Sequence, residues 1–211
     1  MMAYAVKEAF LTLQGEGVQA GSRAVFLRFA GCNLWSGREA DRATAQCNFC
    51  DTDFVGTDGE GGGKFAGAEE LADHISDLWG PSDERRLVVI TGGEPMLQLD
   101  RALVDALHQR GFRVAVETNG TLPAVGELDW ICVSPKAGTD VVQRSGNELK
   151  LVWPQPGIDP AELEGWDFEH FLVQPMDCAD SRAAKDAAIA LAMERPKWRL
   201  TLQAHKVVGL P

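Results

Sequence analysis

The 211-residue sequence predicts an α/β fold, a reduced, partly open (β/α) barrel of about six parallel strands. Three observations point there. Short apolar runs alternate with amphipathic helical stretches from about residue 68 onward, the pattern of parallel strands joined by crossover helices. The stretches between Val116 and Trp130 and between Val133 and Glu148 are short for full helical crossovers, which argues against a complete eight-unit barrel. Finally, each predicted strand runs out into polar or glycine-rich residues, and a parallel barrel gathers such ends on one face.

Taken in order, Tyr4 to Leu13 is strand-like and Gln14-Gly15-Glu16-Gly17 breaks it with a turn. Ala24 to Ala30 is uniformly apolar except for Arg28 and reads as a buried strand. Residues 33–46 are polar and predict an exposed insertion. Residues 56–67 are glycine-rich and predict a mobile loop. Ala68 to Trp79 places Leu71, Ile75, Leu78 and Trp79 on one helical face. Leu87 to Ile90 is a strand, and Asp100 to Arg110 a helix that Gly111 suits as a C-terminal cap. Strands follow at Arg113–Val116, Trp130–Val133, Glu148–Trp153 and His170–Val173. A helix from about Arg182 to Glu194 stops before Pro196, and Leu200 to His205 is expected as a last strand.

Composition narrows the function classes. With 45% hydrophobic and 24% charged residues, the chain has the make-up of a soluble globular protein. Lys and Arg number 20 against 31 Asp and Glu, a net charge of -11 without a basic run, so nucleic acid is not expected as a partner. No run of about eighteen apolar residues exists, and the N-terminus lacks a signal-peptide layout, so the expectation is a cytoplasmic protein with no membrane partner. Exposed edges of an open barrel suit a homodimer.

Five cysteines is an odd number, which argues against a disulfide framework. Cys47 and Cys50, two residues apart, can hold one metal centre from a tight turn, and Cys32 after its strand completes three thiolates. A structural zinc site normally closes with four protein ligands, whereas a reactive centre keeps a position open. Cys132, in an apolar run, reads as a small core residue, and Cys178 carries no assigned role. The predicted strand ends are Gly31-Cys32, Thr91-Gly92-Gly93-Glu94-Pro95, Glu117-Thr118-Asn119-Gly120, Ser134-Pro135-Lys136 and Gln174-Pro175-Met176-Asp177. Turn chemistry alone explains any one of them. Five of them around three cysteines favour a shared ligand.

These residues together resemble the radical S-adenosylmethionine (SAM) superfamily. Phe49 fits its Cys-x-aromatic-Cys segment, and Gly92-Gly93-Glu94-Pro95 matches its glycine-glycine-glutamate-proline motif. Ser134-Pro135-Lys136 and Gln174-Pro175-Met176-Asp177 resemble later SAM-contact segments. The family commonly has three residues between its first two cysteines, whereas fourteen separate Cys32 from Cys47 here. Closure entropy grows slowly with loop length, so such an insertion is thermodynamically mild. The resemblance implies one radical-SAM domain over residues 1–211, with an insertion at about 33–46 in the cluster loop. It implies a 4Fe-4S cluster on Cys32, Cys47 and Cys50, with SAM contacted by Phe49, Gly92, Gly93, Glu94, Glu117, Ser134, Pro135, Lys136, Gln174, Pro175, Met176 and Asp177. For Met176, ordinary core packing stands beside that role.

Thr12 to Gly17, Cys50-Asp51-Thr52, the short length and the ending His205 to Pro211 are further similar to a branch of that superfamily acting on a pterin. That likeness implies a lyase converting 6-carboxy-5,6,7,8-tetrahydropterin to 7-carboxy-7-deazaguanine with loss of ammonia. It implies Thr52 as a Mg2+ ligand, against a plain turn hydroxyl, and flavodoxin or ferredoxin as electron donor. Substrate contacts would be Leu13, Gln14, Gly15, Glu16, Arg28, Thr91, His205 and Pro211. A buried guanidinium must be paired, so Arg28 either clamps the substrate carboxylate or bonds a residue such as Glu117. His205 at a strand end is either a substrate contact or structural. Two other classes stay open: a radical SAM enzyme that activates a partner protein, and a non-enzymatic iron–sulfur or zinc protein.

Overall fold

In a computed structural model, which describes residues 3–210, the chain begins with β1 (Tyr4–Leu13). It pairs antiparallel with β2 (Arg23–Phe29), with a bulge between Val6 and Glu8. On its other side β1 pairs antiparallel with β3 (Gly63–Phe65). The glycine-rich stretch expected to be mobile is therefore packed onto β1. Its glycines serve close approach: a Cβ on Gly62 would come within 2.3 Å of the Lys7 carbonyl oxygen. The Gly59 N–H donates to that same oxygen, and the Ala9 N–H donates to the Glu60 carbonyl.

The rest alternates strand and helix except from β5 to β7, which no helix separates. In chain order come α1 (Ala68–Trp79), β4 (Leu87–Gly92), α2 (Arg101–Gln109), β5 (Arg113–Thr118), β6 (Trp130–Val133) and β7 (Ser145–Trp153). Then follow α3 (Pro160–Leu163), β8 (Asp167–Pro175), α4 (Ser181–Glu194), β9 (Trp198–Leu200) and α5 (Ala204–Val208). The described strands form a single sheet in the order β3-β1-β2-β4-β5-β6-β7-β8-β9. From β2 to β9 neighbouring strands are parallel. β3 and β9 are not paired with each other, so the barrel is open, as the missing crossovers predict.

The predicted helical faces pack as expected. Leu71, Ile75 and Trp79 of α1 and Leu103 and Leu107 of α2 are buried in one core with Val25, Leu27, Val88 and Ile90 of β2 and β4. Burying each such side chain is worth roughly 1.5–3 kcal/mol, enough to order helices that would be marginal alone. Asp100 caps α2 by accepting from the Leu103 N–H, and Gly111 follows it at φ 77, which only glycine adopts without strain. A second core joins Leu149 and Leu151 of β7 to Phe171 and Val173 of β8, Ala188 and Leu191 of α4, and Trp198 of β9.

Two further expectations fail. The last strand ends at Leu200 instead of continuing to His205. Beyond it the Gly17 N–H donates to Thr201 Oγ1, and the Ala204 N–H donates to the Gly15 carbonyl. These bonds draw the chain across the strand ends and start α5, so His205 sits on a helix. Residues 33–46 are only partly an exposed insertion. A 3-10 helix at Glu39–Thr44 buries nothing, but Leu34 and Trp35 are buried, Trp35 edge-on against Phe54. An apolar pair at the start of a polar stretch anchors it to the body.

Candidate active site

All predicted polar strand ends lie at the C-terminal side of the parallel strands, and a cavity of about 410 Å³ opens among them. One wall is the loop that carries Cys32, Cys47 and Cys50, the expected cluster loop. The Gly31 N–H donates to the Phe54 carbonyl and the Glu94 N–H to the Gly31 carbonyl, which ties the β2 end to the loop's exit and to the β4 end. Lys7 holds that exit through Asp53 at 2.8 Å and through the Val55 carbonyl at 3.0 Å. Cys32, Cys47, Cys50 and Phe49 line the wall.

Cys47 is buried, Cys32 and Cys50 half-buried, and all three are free thiols. The Cys47 thiol donates to the Cys50 sulfur, which brings Cys50 down to about 6; that bond together with burial pushes Cys47 up. Burial also raises Cys32. Among the described residues, no three His, Cys, Asp or Glu side chains converge as ligands of one metal ion. The three sulfurs border one space instead, as ligands to separate irons of a cluster do.

Gly93 makes this wall possible. A Cβ there would lie 2.3 Å from the Gly31 carbonyl oxygen and 2.6 Å from Cys32 Cβ. Its neighbour Glu94 points away from the cavity and is fully buried. Its carboxylate accepts from Thr118 Oγ1 at 2.7 Å, the Asn119 N–H at 2.8 Å and the Met96 N–H at 2.9 Å. Glu94 therefore locks the β4 end to the β5 end, and only the backbone around it faces the cavity. Burial raises its pKa against those three donors.

On the far side, Ser134, Lys136, Gln174, Pro175 and Asp177 reach the cavity. Lys136 Nζ donates to the Ser134 carbonyl and hydroxyl, both at 2.7 Å. Burial lowers the Lys136 pKa, and the nearby cysteines push it back. Gln174 is 5% exposed, and among the described residues its Oε1 has no hydrogen-bond partner. An orphaned acceptor on a cavity wall costs stability unless a ligand satisfies it. The space beside the glycines, the three thiols and this open acceptor fit a cluster with an organic ligand bound to it.

Towards the N-terminal turn the wall carries Leu13, Gln14, Glu16, Arg28, Thr91 and Glu117. Arg28 Nε donates to Glu8 Oε1 at 2.7 Å, so its ionic partner within the chain is Glu8, where the sequence offered Glu117 as the alternative to a substrate carboxylate. Glu117 is instead bound by Lys150 at 2.7 Å and by Gln14 Nε2 at 2.9 Å. Thr52 lines the cavity beside Cys50.

Helix α5 forms the last wall. Lys206 bridges Asp51 of the cluster loop at 2.6 Å and Asp177 at 2.5 Å, and Gln203 Nε2 donates to Glu16 Oε1 at 3.0 Å. His205 faces in, over Gly15, where any Cβ would collide with the imidazole at 2.2 Å. Gly15 is thus beneath the wall. Pro135 and Met176 also do not line the cavity, and Pro211 lies outside the described residues.

Lys150, Gln203, Lys206 and Glu8 line the cavity and were not singled out from sequence. For Lys150 the signal was there: Glu148 and Lys150 alternate with Leu149 and Leu151 in a buried strand, placing two charges on the barrel's inside. Gln203 and Lys206 were hidden by the wrong element at the C-terminus.

Comparison with known proteins agrees with the geometry. Residues 41–149 match the Radical SAM superfamily, a span that takes in Cys47, Cys50 and the Gly92–Pro95 motif while Cys32 lies before it. The chain is 61% identical over 210 residues to the 7-carboxy-7-deazaguanine synthase of Caulobacter vibrioides, covering 100% of both chains. It is 37% identical over 205 residues to that of Bacteroides thetaiotaomicron, covering 97% of each. Among solved structures it resembles QueE from Escherichia coli, with a TM-score of 0.68 at 26% identity, covering 96% of this chain and 95% of that one. By its sequence, its open barrel and its three-cysteine cavity, the chain belongs to the radical SAM superfamily and, within it, to the 7-carboxy-7-deazaguanine synthases.

Proposed function

We propose that the chain converts 6-carboxy-5,6,7,8-tetrahydropterin to 7-carboxy-7-deazaguanine and ammonia, as a single domain with residues 33–46 inserted in its cluster loop. The observation that carries the reading is that one cavity joins three cysteines to a pair of carboxylates and a guanidinium. Cys32, Cys47 and Cys50 would hold a 4Fe-4S cluster, leaving one iron for the amino and carboxylate groups of SAM. When bound, such a cluster would supply the one-electron reduction that radical chemistry on SAM requires.

The protein's own part is binding, orientation and exclusion of water. The backbone at Gly92 and Gly93 receives the methionyl group, since no side chain stands there. Gln174 offers its open Oε1 to an N–H donor of the adenine, and Ser134 and Lys136 border the nucleoside. Arg28 has guanidinium N–H groups left beyond the Nε it gives to Glu8, and these face a substrate carboxylate. Glu117, which the resemblance assigned to SAM, is tied by Gln14 and Lys150 to the Glu16 side of the cavity, so it is reassigned to the substrate: Glu16 and Glu117 together accept from the pterin's ring N–H and amino groups, where carboxylates suit adjacent donors. Thr91 and His205 complete the enclosure, and Phe49 shields it. Thr52 would offer a neutral oxygen to a Mg2+ bound with the substrate. Pro211 follows α5 in sequence and would close the same pocket.

We further infer a cytoplasmic homodimer reduced by flavodoxin or ferredoxin. Among the described residues, no helix is long and apolar enough to cross a membrane. The test is anaerobic incubation with SAM, reductant and the carboxytetrahydropterin, with and without Mg2+. The expected result is deazapurine formed with ammonia in equal amount and enhanced by Mg2+. An intact cluster that yields no deazapurine overturns the proposal.

A further inference from the structure

The innermost charge of the cavity belongs to a residue that no motif contains. Lys150 projects from the middle of β7 and is 4% exposed. Its ammonium meets Glu16 Oε2 at 2.5 Å and Glu117 Oε2 at 2.7 Å, joining the turn after β1 to the end of β5. Gln14 spans the same pair. Its Nε2 donates to Glu117 Oε1 at 2.9 Å, and its Oε1 accepts from the Glu16 N–H at 3.0 Å. Glu16 Oε1 also accepts from Gln203 Nε2 at 3.0 Å, so each carboxylate oxygen of the pair holds one donor and has a lone pair left for a ligand in the cavity that both residues line.

We propose that Lys150 is a positioning residue for the pterin reaction, whose ammonium fixes Glu16 and Glu117 as a matched pair of hydrogen-bond acceptors for the substrate's N–H edge. The inference rests on the substrate reading given above and deepens it. A buried carboxylate without a partner takes up a proton and becomes a donor, which would face the N–H groups of the ring with the wrong polarity. Lys150 prevents this. Burial pushes Glu117 up, but the charge and hydrogen bond of Lys150, with Gln14 and the charge of Arg28, outweigh it and leave Glu117 below its ordinary value. Burial likewise pulls Lys150 down, while Glu117, Glu16, Cys132 and Glu148 raise it well above the usual lysine range. Lys136 is the other cation facing it. Lys150 thus stays charged throughout the working range and is a poor proton donor. Its effect on the chemistry passes through the two carboxylates.

The sign follows from these directions. With Lys150 in place Glu117 is ionised at neutral pH, so its titration leaves kcat/KM flat between roughly pH 6 and 8. In Lys150→Met only the Gln14 hydrogen bond and the charge of Arg28 are left to oppose burial at Glu117, its pKa rises, and kcat/KM gains a limb that climbs with pH across this window. The expected KM at pH 6 is at least about tenfold above the parent's and recovers towards pH 8, while Lys150→Arg keeps the flat profile. A folded Lys150→Met chain with the parent's profile overturns the proposal, as does a uniform loss at every pH. Infrared difference spectra of the parent against Glu117→Gln test it without turnover and without a Lys150 variant that folds. No protonated-carboxyl band from Glu117 is expected at pH 6, and finding one refutes the arrangement. If the parent makes no deazapurine, the substrate reading fails, whereas the infrared result still judges whether Glu117 is held ionised beside Lys150.

Discussion

Gly93→Ala tests the central contact of the site. The methyl group would stand 2.3 Å from the Gly31 carbonyl oxygen, 2.7 Å from the Gly31 carbonyl carbon and 2.6 Å from Cys32 Cβ. Ordinary contacts begin near 3.5 Å, so one strand end must retreat by about 1 Å. Neither end can do so freely, because the Glu94 N–H donates to that same Gly31 oxygen at 2.9 Å and Glu94 is pinned below. Overpacking of this kind costs about 1–3 kcal/mol, and each kcal/mol lowers Tm by roughly 2–4 °C in a chain of this size. The functional effect is larger, since the residue displaced is Cys32 and a 1 Å misplacement can cost roughly 100-fold in rate. The assay is Tm of the apo chain, then iron and sulfide per chain after anaerobic reconstitution, then turnover. Gly126→Ala is the control, because nothing lies within 4 Å of its Cβ position. If Gly93→Ala matches that control in Tm, iron content and rate, the β2 and β4 ends do not meet as described.

Three further substitutions separate the parts of the site. Glu94→Ala leaves the Thr118 hydroxyl and the Asn119 and Met96 N–H groups without their acceptor, at about 1–3 kcal/mol for each group left buried. A fall in Tm of at least roughly 6 °C is expected by calorimetry, and a shift under about 2 °C would contradict it. Arg42→Met removes a guanidinium that donates to the Asn48 and Cys50 carbonyls, both at 3.0 Å, and stacks over Trp35 at 4.1 Å. Tm should hardly move, but a chelator should strip iron several-fold faster; unchanged stripping would clear Arg42 of any part in the loop. Lys206→Ala cuts two half-exposed ion pairs worth together about 0–2 kcal/mol, so KM should rise by less than about thirtyfold and lose much of its salt dependence. A chain with the parent's KM and salt response would show that α5 is not held by this clasp.

Much of the site was legible because its chemistry needs particular residues at particular strand ends. Cysteines in a turn, a glycine pair after an apolar run and Ser134-Pro135-Lys136 each announce themselves within a few residues, and parallel topology then brings them to one face. What was not legible depended on long-range choices. Arg28 had to be paired, but whether with Glu8 across the β1–β2 ladder or with Glu117 two strands away is decided by register and side-chain direction. Glu94, read as part of a ligand motif, is turned inward by three donors supplied from β5 and its own loop. Residues 56–67 looked mobile because glycine suits flexible loops and also any backbone that must lie flat on another. Leu200 to His205 has the apolar content of a strand, yet bonds to Gly15 and Gly17 bend it into α5.

The insertion between Cys32 and Cys47 shows how local sequence and distant packing combine. Fourteen residues would leave Cys32 and Cys47, the two proposed ligands they separate, loosely tethered if the segment were a floppy loop. It is not built that way. Leu34 and Trp35 sink into the body directly after Cys32, so the flexible span begins only beyond a buried anchor. The 3-10 turn that follows returns Arg42 onto the Trp35 ring and aims its guanidinium at the carbonyls flanking Phe49. Cys50 is thereby held from the insertion side by Arg42, while Lys7 holds the loop's exit through Asp53. The polar run that looked like solvent-exposed filler forms the outer support of the cluster loop. Shortening the segment while keeping Trp35 and Arg42 should thus be tolerated better than replacing those two residues at full length.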